Sequence, residues 1–136
     1  MKYIKVVAAI IVVDDKILCM QRPKDKYDYI SYKFEFPGGK IEEKEIPLEA
    51  LKRELKEEMD IDLNLLSKSI ESFMVVEHQY PDFTIRLHAY LCRLENFSFK
   101  RKDHIDHIWL SHNQLDSLDW AGADLPIVKR LKDYFL

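Results

Sequence analysis

Apolar and polar positions along the chain fall into two kinds of pattern. Tyr3 to Val13 is β-branched and apolar at successive positions, which predicts a strand buried on both faces. Asp14-Asp15-Lys16 predicts a turn, with Ile17 to Arg22 as the hairpin partner. Residues 23–32 are polar and tyrosine-rich and predict a loop. Phe34-Glu35-Phe36 alternates, then stops at Pro37-Gly38-Gly39, which predicts a loop. The period then changes. Leu48, Leu51, Leu55 and Met59 recur at spacings of three and four, an apolar stripe that predicts a helix over Pro47 to Met59. Pro47 suits its first turn, where a missing N–H would have no intrahelical partner anyway. Further strands are predicted at Ser69 to His78, Thr84 to Leu94 and Ile108 to Leu110, a short helix at His112 to Leu118, and a last helix at Leu125 to Phe135. Strands and helices mix without regular alternation, so the fold class is α/β or α+β, a mixed sandwich.

Composition narrows this picture. A chain of 136 residues suits a single domain, 1–136, and 47% hydrophobic with 33% charged residues suits a packed globule. The net charge of −3 gives no electrostatic track for a nucleic-acid polymer, and Lys100-Arg101-Lys102 is too short a run to make one. Val6 to Val13 is the longest apolar run, too short to span a bilayer. It ends in Asp14-Asp15 without a small-residue cleavage site, so it reads as a strand and not a signal peptide. Cys19 and Cys92 stand apart in apolar runs and read as buried thiols, which fits a reducing cytoplasm.

The helix raises a chemical question. At about 100° per residue, Glu54, Glu57 and Glu58 share one arc turned away from the Leu51/Leu55/Met59 stripe. Each like-charge neighbour pair costs a helix about 0.2–0.5 kcal/mol, partly offset where Arg53 reaches Glu57. A solvated charged face would explain the helix alone. Upstream, however, Gly38-Gly39 permits close backbone approach and offers an open carbonyl, and Lys40 adds a cation suited to phosphate. Mg²⁺ binds through a few carboxylates plus substrate phosphates, and this constellation supplies the carboxylates.

Gly39 to Glu45, followed by Arg53-Glu54-Leu55-Lys56-Glu57-Glu58-Met59-Asp60-Ile61, resembles the Nudix box, G-x5-E-x7-R-E-U-x-E-E-x-G-U with U apolar. The second glycine is replaced by Asp60, at a helix end where glycine takes the left-handed conformation. Asp tolerates that conformation better than most residues, so a modest stability cost is expected. The likeness extends over most of the chain. It is strongest toward the branch containing MutT and CTP pyrophosphohydrolases, through Val6 to Ile11, Gln21-Arg22-Pro23, Leu87-His88-Ala89-Tyr90 and Ala123-Asp124-Leu125-Pro126.

The resemblance implies a Nudix-type α/β/α sandwich around a mixed β-sheet, and Mg²⁺ or Mn²⁺ held by Glu54, Glu57, Glu58 and the Gly38 carbonyl. It gives Glu45 a supporting role and has Arg53 orient the carboxylates. The implied reaction cuts a nucleoside triphosphate to a monophosphate and pyrophosphate. The implied alternatives are another nucleoside diphosphate-X substrate and a non-catalytic sensor. The expected partner is a nucleoside triphosphate, without a nucleic-acid polymer or membrane, in a monomer or homodimer.

Asp103, six positions before Trp109, matches a glutamate that contributes to metal or water activation, and reads equally as a loop carboxylate beside Lys102. Arg22 matches a substrate contact and reads equally as a charge at a strand end. Asp124 matches an asparagine that reads guanine. A carboxylate only accepts hydrogen bonds, which suits an exocyclic amine, as in cytosine or adenine. It also reads as the N-cap of the last helix. Phe36, Trp120, Tyr27, Tyr29 and Tyr32 are candidates for base stacking or for packing. His104, His107 and His112 are spaced too loosely for zinc and are given no metal.

Overall fold

The computed structural model describes residues 2–134. Among the described residues, seven strands form one mixed sheet. Strand β1 (Lys2–Val13) is central, running parallel to β6 (Phe83–Leu94) from Lys2↔Phe83 to Val12↔Arg93. Strand β2 (Lys16–Gln21) makes a hairpin with β1 through Asp14 and Asp15, both at positive φ (47° and 65°), so Lys16 already pairs with Val13. A type I′ hairpin turn, whose twist matches that of the strands, needs that sign at both central residues. Strand β3 (Phe34–Glu35) pairs with β2, as does β7 (Asp106–Leu110). Strand β5 (Ser67–Gln79) lies beyond β6 at an edge.

Gly38-Gly39 corrects the sequence reading. Gly38–Lys40 is not a loop but a strand, β4, antiparallel to Val6–Ala8 of β1. Neither glycine has a positive φ. Space is the reason for them. A Cβ on Gly38 would sit 1.9 Å from the Val7 carbonyl oxygen, and one on Gly39 would sit 2.2 Å from Glu54 Cδ.

Alternation along β1 divides two cores. Val7, Ala9 and Ile11 pack with Ala50, Leu51, Leu55 and Met59 of helix α1 (Pro47–Met59). Ala8, Ile10 and Val12 face the other way, toward Ile127, Val128 and Leu131 of helix α3 (Leu125–Tyr134). The result is the expected helix–sheet–helix sandwich. Cys19 and Cys92 are buried free thiols, and burial pushes each up to about 12. Among the described residues no helix is long and apolar enough to cross a membrane.

Helix α1 starts without a side-chain cap, at Ile46 with Pro47 following. It ends where Asp60 takes the left-handed conformation, φ 57° and ψ 38°, with the Ile61 N–H reaching the Leu55 carbonyl at 3.1 Å. A one-turn helix, α2 (Leu63–Leu66), was not foreseen. Asp62 caps it, its carboxylate accepting the Asn64 and Leu65 N–H groups. The segment predicted as a helix near His112 is a 3-10 turn over His112–Ser117. The prediction that α3 reaches Phe135 falls outside the described residues.

Candidate active site

The outward arc of α1 gathers as its periodicity requires. Carboxylate oxygens of Glu54, Glu57 and Glu58 all lie within 4.8 Å of one another. Arg53 restrains this charge with a bidentate grip on Glu45, Nε to Oε2 at 2.7 Å and Nη2 to Oε1 at 3.0 Å. Its Nη1 reaches Glu54 at 2.9 Å and Glu57 at 3.3 Å, and its Nη2 also donates to the Lys40 carbonyl at 3.0 Å. The i,i+4 partner visible in the sequence is thus secondary to Glu45. Arg53 holds Glu45 below the usual carboxylate range, helped by the Glu42 N–H, and Glu45 in turn raises Arg53. Gly39 makes room for Glu54, whose carboxylate occupies the space of a missing Cβ.

The loop before β7 adds a fourth carboxylate. Asp103 hydrogen-bonds Glu58, and that bond, followed by partial burial and the charges of Asp103, Glu54 and Glu57, pushes Glu58 up to about 7. The Arg53 guanidinium and the Lys102 ammonium on the Glu57 carbonyl do not balance so many acids. A hard divalent cation fits this donor set: carboxylates only, closely spaced, and short of positive charge. On β4, Gly39 lies against Glu54, and Gly38 precedes it against the Val7 and Ala8 backbone.

On the opposite face of the sheet from the α1 core lies a cavity of about 490 Å³. Arg22, Phe36, Lys40 and Asp124, four candidates scattered through the sequence, all line it, and Gly38 and Gly39 form part of the same wall. Strand β3 stitches the far wall in place. The Phe34 N–H donates to the Asp119 carbonyl at 2.8 Å, and the Ala121 N–H returns to the Phe34 carbonyl at 2.9 Å. Phe36 is buried and stacks on Trp120 at 4.7 Å between ring centres, so one of its faces is already taken. Tyr27 lines the cavity and stacks on Tyr29, whereas Tyr32 is exposed and takes no part in the wall.

Asp124 is buried, and its Oδ2 accepts the Phe36 N–H at 3.0 Å. Its side chain is therefore committed to the pocket wall rather than to capping α3. Burial, with the charge of Glu35 adding, pushes Asp124 well above the ordinary carboxylate range. The shift is toward the neutral acid, which donates as well as accepts, whereas the ionised form only accepts.

Sequence reasoning assigned no role to Glu35 or His104. Glu35 Oε1 takes Arg22 Nη1 at 3.1 Å, and its Oε2 meets His104 Nε2 at 2.9 Å. Burial alone would raise Glu35, but His104 and Arg22 outweigh it and hold the carboxyl below its usual value. The signals for Glu35 were a lone charge between two phenylalanines and its place in Glu35-Phe36-Pro37-Gly38, which extends the resemblance upstream of the box. Its partners lie 13 and 69 positions away, so nothing local names them.

The sequence model of the NUDIX domain matches residues 2–131. A CTP pyrophosphohydrolase of Escherichia coli K12 is 35% identical over 131 residues, covering 95% of this chain and 91% of that protein. An 8-oxo-dGTP diphosphatase of the same organism is 31% identical over 119 residues, covering 88% of each. The solved structure of MutT from methicillin-resistant Staphylococcus aureus 252 superposes with a TM-score of 0.71 at 38% identity, over 98% of this chain and 99% of that one. With the carboxylate cluster, the glycine strand and the adjoining cavity in place, the chain belongs to the Nudix family, as a hydrolase of nucleotide phosphate anhydrides.

Proposed function

We propose that the chain is a Mg²⁺- or Mn²⁺-dependent nucleoside triphosphate pyrophosphohydrolase that prefers cytosine nucleotides and releases the monophosphate and pyrophosphate. The observation that carries this reading is the shared wall at Gly38-Gly39, with the acidic cluster on one side and the cavity on the other. A base seated in the cavity would direct its phosphates to the carboxylates. Glu54, Glu57, Glu58 and the Gly38 carbonyl would hold the metal, which when bound neutralises phosphoryl charge and lowers the pKa of water. Arg53 and Glu45 fix the carboxylates, and Lys40 supplies a cation to the phosphates. Asp103 would accept a proton from the attacking water. The α–β anhydride breaks, with the water oxygen ending on one phosphorus and the bridging oxygen leaving with the other.

In the cavity, a neutral Asp124 complements cytosine, its hydroxyl donating to N3 and its carbonyl accepting from N4. The similarity to a CTP pyrophosphohydrolase supports the same base. The neutral acid would also complement a lactam edge, and the similarity to an 8-oxo-dGTP diphosphatase supports oxidised guanine nucleotides as a second reading. Product analysis over a panel of NTPs, dNTPs and 8-oxo-dGTP with Mg²⁺ tests both. Monophosphate plus pyrophosphate, fastest from CTP or dCTP, is expected. Inorganic phosphate as the sole cleaved product would overturn the reaction, and 8-oxo-dGTP as the best substrate would replace cytosine with the second reading.

A further inference from the structure

We propose that His104 is a positioning residue: anchored on Glu35, it holds Asp103 against the carboxylates of α1 and ties that end of the site to Arg22 in the cavity. This rests on the reading of Asp103 as a participant in catalysis. Residues 96–105 between β6 and β7 have no regular secondary structure, so no backbone ladder fixes where Asp103 points. Asp103 is itself exposed, and between Glu95 and Asp106 the only residues not exposed are Phe97, Phe99 and His104. The two phenylalanines pack toward Trp109 on the α1 side of the sheet. His104 lies one residue from Asp103, its side chain only 11% exposed.

Within the loop, the exposed Arg101 Nη1 donates to the Ile105 carbonyl and to the Asp106 carboxylate, each at 3.1 Å, and the fastenings to other elements are of two kinds. Toward α1, the Lys100 N–H donates to the Met59 carbonyl at 2.9 Å and Lys102 Nζ to the Glu57 carbonyl at 2.6 Å. Toward β2, the Ile105 N–H donates to the Gln21 carbonyl at 3.0 Å. These set the path of the backbone. The bond from His104 to Glu35 is the loop's side-chain anchor with both partners largely enclosed, and an anion accepting from an imidazole N–H is stronger and more directional than a neutral pair. Glu35 is occupied at both oxygens, by His104 and by Arg22, so it cannot turn without releasing one of them. Arg22 is held a second time by Asp25 at 3.1 Å, which makes the anchor stiff from the cavity side. Asp103 therefore inherits its position from a residue on β3 that never touches it.

The test compares His104→Ala, His104→Gln, Asp103→Asn and the His104→Ala/Asp103→Asn pair, using the nucleotide the parent protein cleaves best. His104→Ala is expected to lower kcat by about 10- to 100-fold, the scale for a misplacement near 1 Å, with KM changed by less than about threefold. His104→Gln, which keeps an N–H donor toward Glu35, should recover part of that loss. The pair should be little worse than Asp103→Asn alone, because both changes remove one function. A second readout needs no turnover. In the metal-free protein the ¹³C carboxyl shifts of Glu58 and Asp103, which report their shared hydrogen bond, should move in His104→Ala. Unchanged kcat, full additivity with Asp103→Asn, or unmoved carboxyl shifts would overturn the proposal. Failure of the parent protein to cleave any nucleotide would instead refute the functional reading, and the carboxyl shifts would still decide the positioning. If His104→Ala does not fold, the Gln variant carries the same comparison.

Discussion

Adjacent glycines on β4 should fail in different ways when each is changed to alanine. Neither needs a positive φ, so backbone strain does not enter. On Gly39 the new Cβ would lie 2.2 Å from Glu54 Cδ and 2.3 Å from Oε2. An ordinary carbon–carbon contact is about 3.5 Å, so the Glu54 carboxylate must retreat by about 1.3 Å. It is the end of a flexible chain and can do so at little cost. Alanine also stiffens the unfolded chain, worth about 0.4–1 kcal/mol, so Gly39→Ala should stay within about 1 kcal/mol of the parent in stability. A displacement of that size in a metal-holding carboxylate should cost about 100-fold in turnover, about 2.7 kcal/mol of barrier. On Gly38 the Cβ would meet the Val7 carbonyl oxygen at 1.9 Å and Ala8 Cα at 2.8 Å. Those atoms are backbone of the central strand and cannot swing aside. Gly38→Ala should lose about 1–3 kcal/mol or more of stability. Urea unfolding measures the first quantity, and steady-state hydrolysis with a Mg²⁺ titration measures the second. The reasoning is refuted if Gly39→Ala retains full turnover and metal affinity, or if it is destabilised as much as Gly38→Ala.

Three further outcomes are expected. Asp60→Gly should stabilise by about 0.5–1 kcal/mol in thermal or urea unfolding with turnover unchanged, because glycine carries no penalty at φ 57° and the exposed Lys56–Asp60 pair at 3.2 Å contributes little; a loss of stability would contradict this. Asp124 keeps its proton in the folded state at pH values where the unfolded carboxyl has lost it, so its contribution is fully present below about pH 4 and declines as pH rises through the folded value. Asp124→Asn removes that titration while keeping an acceptor for the Phe36 N–H, so its stability relative to the parent should grow with pH above about 4, and parallel unfolding curves across pH would sink the idea. Glu58 sits at about 7 without metal and must ionise to bind one, so Mg²⁺ or Mn²⁺ binding should release a proton near pH 7 and weaken by up to about tenfold per unit below it, as read by calorimetry in buffers of differing ionisation enthalpy; pH-independent affinity there would count against the ligand assignment.

What the chain spells out locally, it settled by itself. The period of Leu48, Leu51, Leu55 and Met59 fixed α1 and with it the carboxylate arc, because a helix repeats every 3.6 residues whatever surrounds it. The unbroken apolar run of β1 announced a strand covered on both faces, and two cores meet it. The departure at Asp60 was legible as a left-handed helix end. Three matters were decided only by tertiary contact. Gly38-Gly39 reads as a loop in sequence, yet its pairing partner is β1, some 30 positions upstream (Val7↔Gly39, Ala8↔Gly38), and only that pairing makes it a strand. Asp124 reads as an acceptor toward a base or as a helix cap, yet enclosure beside Glu35 pushes its carboxyl well above the ordinary range, and burial is not a property of a residue's neighbours in sequence. Glu35 and His104 meet across 69 positions. A charge pair at that separation leaves no periodic trace, because its energy depends on a distance in space that the order of residues does not record.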